Sequence, residues 1–364
     1  MILTGIVLGP YALNLIDSSI LNISADLRQI ALVIILTRAG LSLNLDDLKK
    51  VGRPAVLMCF VPACFEMAGA LMIAPKLLGI SLVEAALLGS VIAAVSPAVI
   101  VPRMIKLIDE GYGVKHSIPQ LILAGASVDD VFVIVVFTAF LSMANGGDIS
   151  PVTFARIPVS VILGIGCGII CGIVMIWFFK KIHMRDSVKL LLLLSISFLL
   201  ISAEKALEDV VPFSGLLAIM SMGIVLKRNY NILAVRLSSK YNKLWVAAEV
   251  MLFVLVGATV DIKYALASGV AAIVVVLVSL VFRMAGVATC LVGTELNVKE
   301  RYFCVMAYTP KATVQAAIGA IPLTMGLECG QQVLTVAVLS ILITAPLGAI
   351  LVDNSYRKLL DKEQ

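Results

Sequence analysis

Charge is scarce in this chain. Of 364 residues only 14% are Asp, Glu, Lys or Arg, and 61% are hydrophobic. Soluble domains carry about 25% charged residues, so a soluble globular protein is excluded. Histidine is rarer still: His116 and His183 are the only two, both in connecting segments, which rules out a histidine proton relay inside the membrane and leaves pH sensing in a loop open. The seven cysteines form no CxxC pair, and an odd number gives no disulfide framework; their apolar surroundings suit small buried hydrophobes. Phosphate-binding G-x-x-x-x-G-K-[ST] and G-x-G-x-x-G patterns are missing, so neither ATP nor another nucleotide is expected as energy source, cofactor or partner. The zinc-protease pattern H-E-x-x-H is missing too. The first apolar stretch has no basic n-region before it, so it is not expected to be a secretory signal peptide.

What remains is long apolar stretches, with a mean hydropathy of +1.08. Twelve can be counted: 2–16, 27–43, 54–78, 82–107, 118–143, 157–179, 188–203, 212–226, 244–260, 265–292, 301–323 and 333–352. A span needs about 20 residues, and the first stretch is short of that, so N-terminal residues or a whole preceding helix are expected to be missing. Loops after even-numbered stretches, with the C-terminus, carry twenty Lys and Arg, among them Lys49, Lys50, Arg53, Arg103, Lys299 and Arg301. The opposite loops carry five: Arg28, Lys76, Arg156, Lys205 and Lys263. This positive-inside bias places both ends in the cytoplasm of a multi-pass protein, and a bacterial inner (plasma) membrane is the expected host. Membrane lipid is the implied surrounding, and nucleic acid is not an expected partner.

Against that apolar background, Asp129 and Asp130 stand in the middle of 118–143. An ionised carboxylate at a helix centre costs roughly 2.5–3.5 kcal/mol on insertion scales, so an adjacent pair marks a path for protons or cations. Prolines interrupt two stretches at mid-depth, at Ser96-Pro97 through Pro102 and at Thr309-Pro310. Proline removes an amide donor, and the freed backbone groups must be satisfied by protein or by cavity water. These stretches lie seven spans apart and so cross in opposite directions, each the middle of a three-helix group. Broken helices at matching positions of inverted repeats point to a transporter's midplane site. Glu66 and Arg283, each in the first helix of its group, are expected to form an ion pair, structural and open to a regulatory role; Lys311 is expected to compensate charge at the second break.

The aspartate pair suits a hard monovalent cation, sodium or lithium, because carboxylates offer both charge and oxygens. Burial and a like-charged neighbour raise a carboxylate's pKa in general, and nearby cations lower it. A site balanced between them binds either a proton or a metal ion. Competition at one alternately exposed site gives obligatory exchange. Ser127, Ser96 and Thr309 are the candidate additional oxygens. Glycines 164, 168 and 172 recur on one helix face, spaced for close helix contact, either internal or at a dimer seam.

Several longer motifs carry a resemblance: Gly5-Ile6-Val7-Leu8-Gly9-Pro10, Ala94-Val95-Ser96-Pro97-Ala98-Val99-Ile100-Val101-Pro102, Ser127-Val128-Asp129-Asp130 and Pro310-Lys311-Ala312-Thr313-Val314-Gln315-Ala316-Ala317-Ile318-Gly319. With them the chain resembles the monovalent cation:proton antiporter superfamily, most closely its NHA sodium/proton exchanger branch. The resemblance implies an all-α polytopic membrane protein with an NhaA-like inverted-repeat fold and two crossed discontinuous helices. It implies a homodimer, no cofactor beyond the transported Na+ or Li+ and H+, and Asp130 as main carboxylate beside Asp129. It divides the chain into N-terminal scaffold helices (1–53), core repeat one (54–143, with broken helix 82–107), intervening helices (144–264), core repeat two (265–352, with broken helix 301–323) and a tail (353–364). Members usually have thirteen or fourteen helices, which again expects a shortened N-terminus. The DD motif of electrogenic relatives suggests two protons per cation, but those relatives carry a lysine where this chain has Arg283; arginine does not release its proton, which favours electroneutral exchange. The alternatives are a sodium-coupled symporter of organic anions and a membrane prenyltransferase. The latter lacks a second acidic cluster, and Val133 stands where a DDxxD motif needs aspartate. An enzyme is therefore not expected.

Overall fold

A computed structural model describes residues 1–42, 52–145, 151–207 and 213–362. Among them the chain is helical throughout, and the one β-bridge pairs Tyr112 with Lys362. The helices are α1 (Ile2–Leu8), α2 (Ser18–Asn22), α3 (Ser24–Ser42), α4 (Arg53–Met58), α5 (Val61–Leu78), α6 (Leu82–Ile92), α7 (Pro97–Glu110), α8 (Ile118–Asn145), α9 (Pro151–Lys181), α10 (Asp186–Leu207), α11 (Gly215–Asn229), α12 (Asn231–Ala258), α13 (Ile262–Cys290), α14 (Val298–Ala307), α15 (Thr313–Ile318), α16 (Ile321–Thr324) and α17 (Gly330–Leu359). Eight helical stretches of the described residues are long and apolar enough to cross a membrane. This is an all-α, multi-pass membrane protein.

The twelve apolar stretches do not all become long helices. The first is helical only over α1, because Pro10 disfavours helical geometry at Gly9. The chain then folds back, Leu13 N donating to Val7 O at 3.0 Å and Leu15 N to Leu8 O at 2.9 Å. The second, α3, includes Asp26, Arg28 and Arg38. The eighth, α11, has fifteen residues. The eleventh is divided into α14, α15 and α16.

Residues group into two compact units. One holds 1–16, 45–144 and 256–364; the other holds 17–44 and 145–255. In the second unit, α9 closes on α11 along its glycine face. A Cβ at Gly164 would stand 2.6 Å from Ser214 O and one at Gly172 2.9 Å from Val225 Cβ, while one at Gly168 would collide with Ala218 O. That face is internal packing and not a dimer seam. The cysteines behave as small apolar side chains, but Cys64 is exposed, on the outer face of α5.

In the first unit, two broken helices are built alike. Helix α6 starts with a capping box, Ser81 receiving Glu84 N while Glu84 receives Ser81 N; α14 starts with the same device made by Asn297 and Glu300. Both run ten or eleven residues and stop. Helix α7 then resumes at Pro97, where proline sits in the first turn and its missing amide costs nothing. Pro102 lies inside α7, so the first break is narrower than its two prolines suggest. Around these elements α5 packs on α13, with Gly69 against Phe282 and Gly286 against Pro62. Small residues of this kind let two membrane helices approach closely.

Candidate functional site

The two breaks meet. Ser96 N donates to Pro310 O at 2.8 Å, joining the gap between α6 and α7 to the gap between α14 and α15. Helix α6 ends there with unpaired carbonyls, which carry partial negative charge. Three side chains take them up. Arg283 donates to Ala93 O, Lys311 Nζ to Ile92 O at 2.5 Å, and Gln315 Nε2 to Ala94 O at 2.8 Å. Arg283 Nε also takes Tyr308 O, at the end of α14, at 2.9 Å.

The carboxylates close the cluster. Arg283 Nη1 lies 3.0 Å from Glu66 Oε2, and Nη2 lies 2.8 Å from Asp129 Oδ2. Lys311 Nζ lies 2.5 Å from Glu66 Oε1, a close buried ion pair. Asp129 Oδ2 also accepts Val95 N at 2.8 Å, which fixes α8 to the first break. Glu66, Asp129, Arg283 and Lys311 are wholly buried. Asp130, 8% exposed, forms no ion pair among the described residues, and its Oδ1 has no hydrogen-bond partner there.

Ser96 Oγ is likewise buried without a hydrogen-bond partner, whereas Thr309 Oγ1 donates to Met306 O at 2.9 Å. Ser127 lies on α8, but its side chain is outside the described residues, as are those of Arg156, Lys205 and Lys263; Lys49 and Lys50 lie outside them altogether. Of the residues expected at the site, Glu66, Asp129, Asp130, Ser96, Thr309, Arg283 and Lys311 all belong to the first unit.

The family described as "Sodium/hydrogen exchanger, transmembrane" matches residues 1–353. The chain belongs to that family. This sodium/hydrogen exchanger family member is 33% identical over 353 residues to sodium/hydrogen exchanger 9B2 of Xenopus tropicalis, covering 94% of the chain and 65% of the relative. Human sodium/hydrogen exchanger 9B1 is 32% identical over 354 residues, covering 93% of the chain and 67% of the relative. The chain thus spans about 65% of the length of the 9B2 relatives it matches. The relatives place it in the NHA-like branch of the monovalent cation:proton antiporter superfamily. Among solved structures, the sodium proton antiporter MjNhaP1 of Methanocaldococcus jannaschii at pH 8 superposes with a TM-score of 0.84 at 20% identity, over 98% of this chain and 91% of that one. That likeness establishes a shared fold.

Two features of this exchanger-family site escape a reading of the sequence. Gln315 supplies a break-spanning amide, and its sequence signal is only its place in the motif that follows Pro310. Tight backbone approach is the other. A Cβ at Gly348 of α17 would stand 2.8 Å from both Pro310 Cδ and Thr309 Oγ1. Gly348→Ala is therefore expected to push α17 off the second break and to destabilise the protein by about 1–3 kcal/mol. Gly166→Ala, which meets nothing within 4 Å, serves as the comparison. Thermal unfolding of the two variants should separate them, Gly166→Ala holding or gaining stability because alanine favours a helix. Equal melting temperatures would show that α17 does not depend on this approach.

Proposed function

We propose that this chain exchanges Na+ or Li+ for H+ across a membrane by alternating access, the two ions competing for the buried Asp129–Asp130 pair. One observation carries the proposal: three carboxylates (Glu66, Asp129 and Asp130) are buried in the first unit with only two buried cationic side chains among the described residues, Arg283 and Lys311, which pair with Glu66 and Asp129. With all five ionised, one negative charge is left over. A buried uncompensated charge is costly, so it invites either a proton or a cation. Asp130 is the carboxylate without an ion pair, and the exchange is assigned to it. Asp129, held by Arg283 and Val95 N, orients the helix and offers Oδ1 as a second oxygen. Ser96 Oγ, Ser127 and Thr309 Oγ1 are the further oxygen candidates, in keeping with the preference of hard cations for oxygen.

Family membership supports the same reading, as does the paired construction of the two broken helices. We take 54–143 and 265–352 as core repeats, and both chain ends as cytoplasmic, on the positive-inside bias. A lipid-embedded homodimer in a plasma membrane belongs to the same proposal. Arginine keeps its proton, so Arg283 cannot serve as an extra proton carrier, and exchange through Asp130 alone is one for one.

The test is internal pH in proteoliposomes. Adding Na+ or Li+ outside is expected to move protons, and an imposed membrane potential alone is expected to move none. Absence of any alkali-cation-dependent proton movement overturns the antiport reading; potential-driven transport overturns the stoichiometry while leaving antiport standing.

A further inference from the structure

In the first unit, α13, α14 and the last turn of α17 border an open groove of about 440 Å³. Val298, Val305 and Leu359 give it an apolar floor, and Lys299, Arg301 and Tyr302 stand along it. Val298 is 83% exposed and Tyr302 57%. Arg301 is anchored, its Nη2 donating to Thr294 O at 2.9 Å. Lys299 is exposed. The Arg53 guanidinium lies close to Gly293 on the same loop.

The acid between these bases does not neutralise them. Glu300 turns inward, its Oε2 accepting Asn297 N at 2.8 Å and its Oε1 lying 2.8 Å from His116 Nδ1. Glu295 is the exposed acid of that loop. What results is an apolar trough with a net positive rim and an aromatic ring of the kind found at membrane interfaces.

We propose that this groove binds an anionic phospholipid, its phosphate against Arg301 and Lys299 and an acyl chain along Val298, Val305 and Leu359. A soluble anion would gain nothing from the apolar floor, and a neutral lipid would leave the basic rim unmatched. Basic pockets between membrane helices, on the side rich in Lys and Arg, attract such lipids. Because α14 is the first half of the second broken helix, a lipid seated here fastens the start of that helix to α13 and α17. The proposal does not rest on the transport reading, and its test does not read transport.

The experiment is thermal unfolding of the purified protein in detergent, titrated with phosphatidylglycerol, with phosphatidylcholine of the same acyl chains, or with glycerol phosphate. Phosphatidylglycerol alone is expected to raise the melting temperature in a saturable way. Lys299→Ala, at an exposed side chain that folding does not need, is expected to raise the half-saturating concentration about fivefold, and Lys299→Glu further. Lys243→Ala, at an exposed lysine of α12, is expected to leave it unchanged. An equal shift with phosphatidylcholine would overturn the charge recognition, and an equal shift with glycerol phosphate the lipid source. Equal weakening by Lys243→Ala and Lys299→Ala would show diffuse surface attraction and would overturn the site.

Discussion

Asp130→Asn is expected to reduce cation-dependent proton movement to background while leaving the protein folded. The substitution preserves shape and removes the one carboxylate of the cluster that no cationic side chain pairs with among the described residues. No buried cation is left behind, so thermal stability in the absence of sodium should hold or rise. Stabilisation by sodium should disappear. A ligand bound at a hundred times its Kd adds about 2.7 kcal/mol, an effect easily read in a melting curve. Asp129→Asn should behave differently. It weakens the 2.8 Å charge-assisted contact with Arg283, worth about 1.5–3 kcal/mol, so that variant should lose stability even without sodium. Proton flux in proteoliposomes and sodium-dependent melting on the two variants divide the roles of the pair. Substantial cation-dependent flux in Asp130→Asn would move the exchange site elsewhere.

Some of this arrangement was legible in the amino-acid order, for a physical reason. Charge inside an apolar stretch is costly enough that each instance stands out, and so Glu66, Asp129, Asp130, Arg283 and Lys311 could be singled out without coordinates. Proline at mid-span is equally conspicuous, and the breaks at Ser96-Pro97 and Thr309-Pro310 were visible for that reason. Which aspartate faces Arg283 was not visible. Neighbouring residues on a helix point about 100° apart, and the rotation of α8 is fixed by Val95 N, a backbone donor with no sequence signature. That Lys311 meets Glu66 was also hidden, because either a carboxylate or a helix end would satisfy a buried ammonium, and here it contacts both. At the N-terminus the stretch was legible as too short for a span, but not that Gly9-Pro10 would end its helix after Leu8. The contact of His116 with Glu300 went unread because nothing local joins residues 184 positions apart.

Arg283→Ala is expected to be the most destabilising single change in the first unit. One guanidinium holds Glu66 and Asp129 and satisfies Ala93 O and Tyr308 O, ending both first half-helices at once. Its removal strands Asp129 in a buried place and leaves Glu66 with Lys311 alone, and breaking even one buried pair costs about 3–5 kcal/mol. Arg283→Lys restores charge but not geometry, since an ammonium on a flexible stem cannot present the planar fork that spans these four acceptors. It should recover only part of the loss. Glu66→Gln should cost less, because it leaves Arg283 with Asp129, though Lys311 then keeps only Ile92 O as a close acceptor. Combining Glu66→Gln with Arg283→Ala removes one of the two carboxylates that lose the guanidinium in the arginine variant. The double variant should therefore be more stable than the sum of the two single losses implies, by about 0.5–3 kcal/mol. Thermal unfolding of the four proteins gives that coupling directly. Simple additivity would mean that Glu66 and Arg283 act independently, with the arginine serving chiefly the backbone of the two breaks.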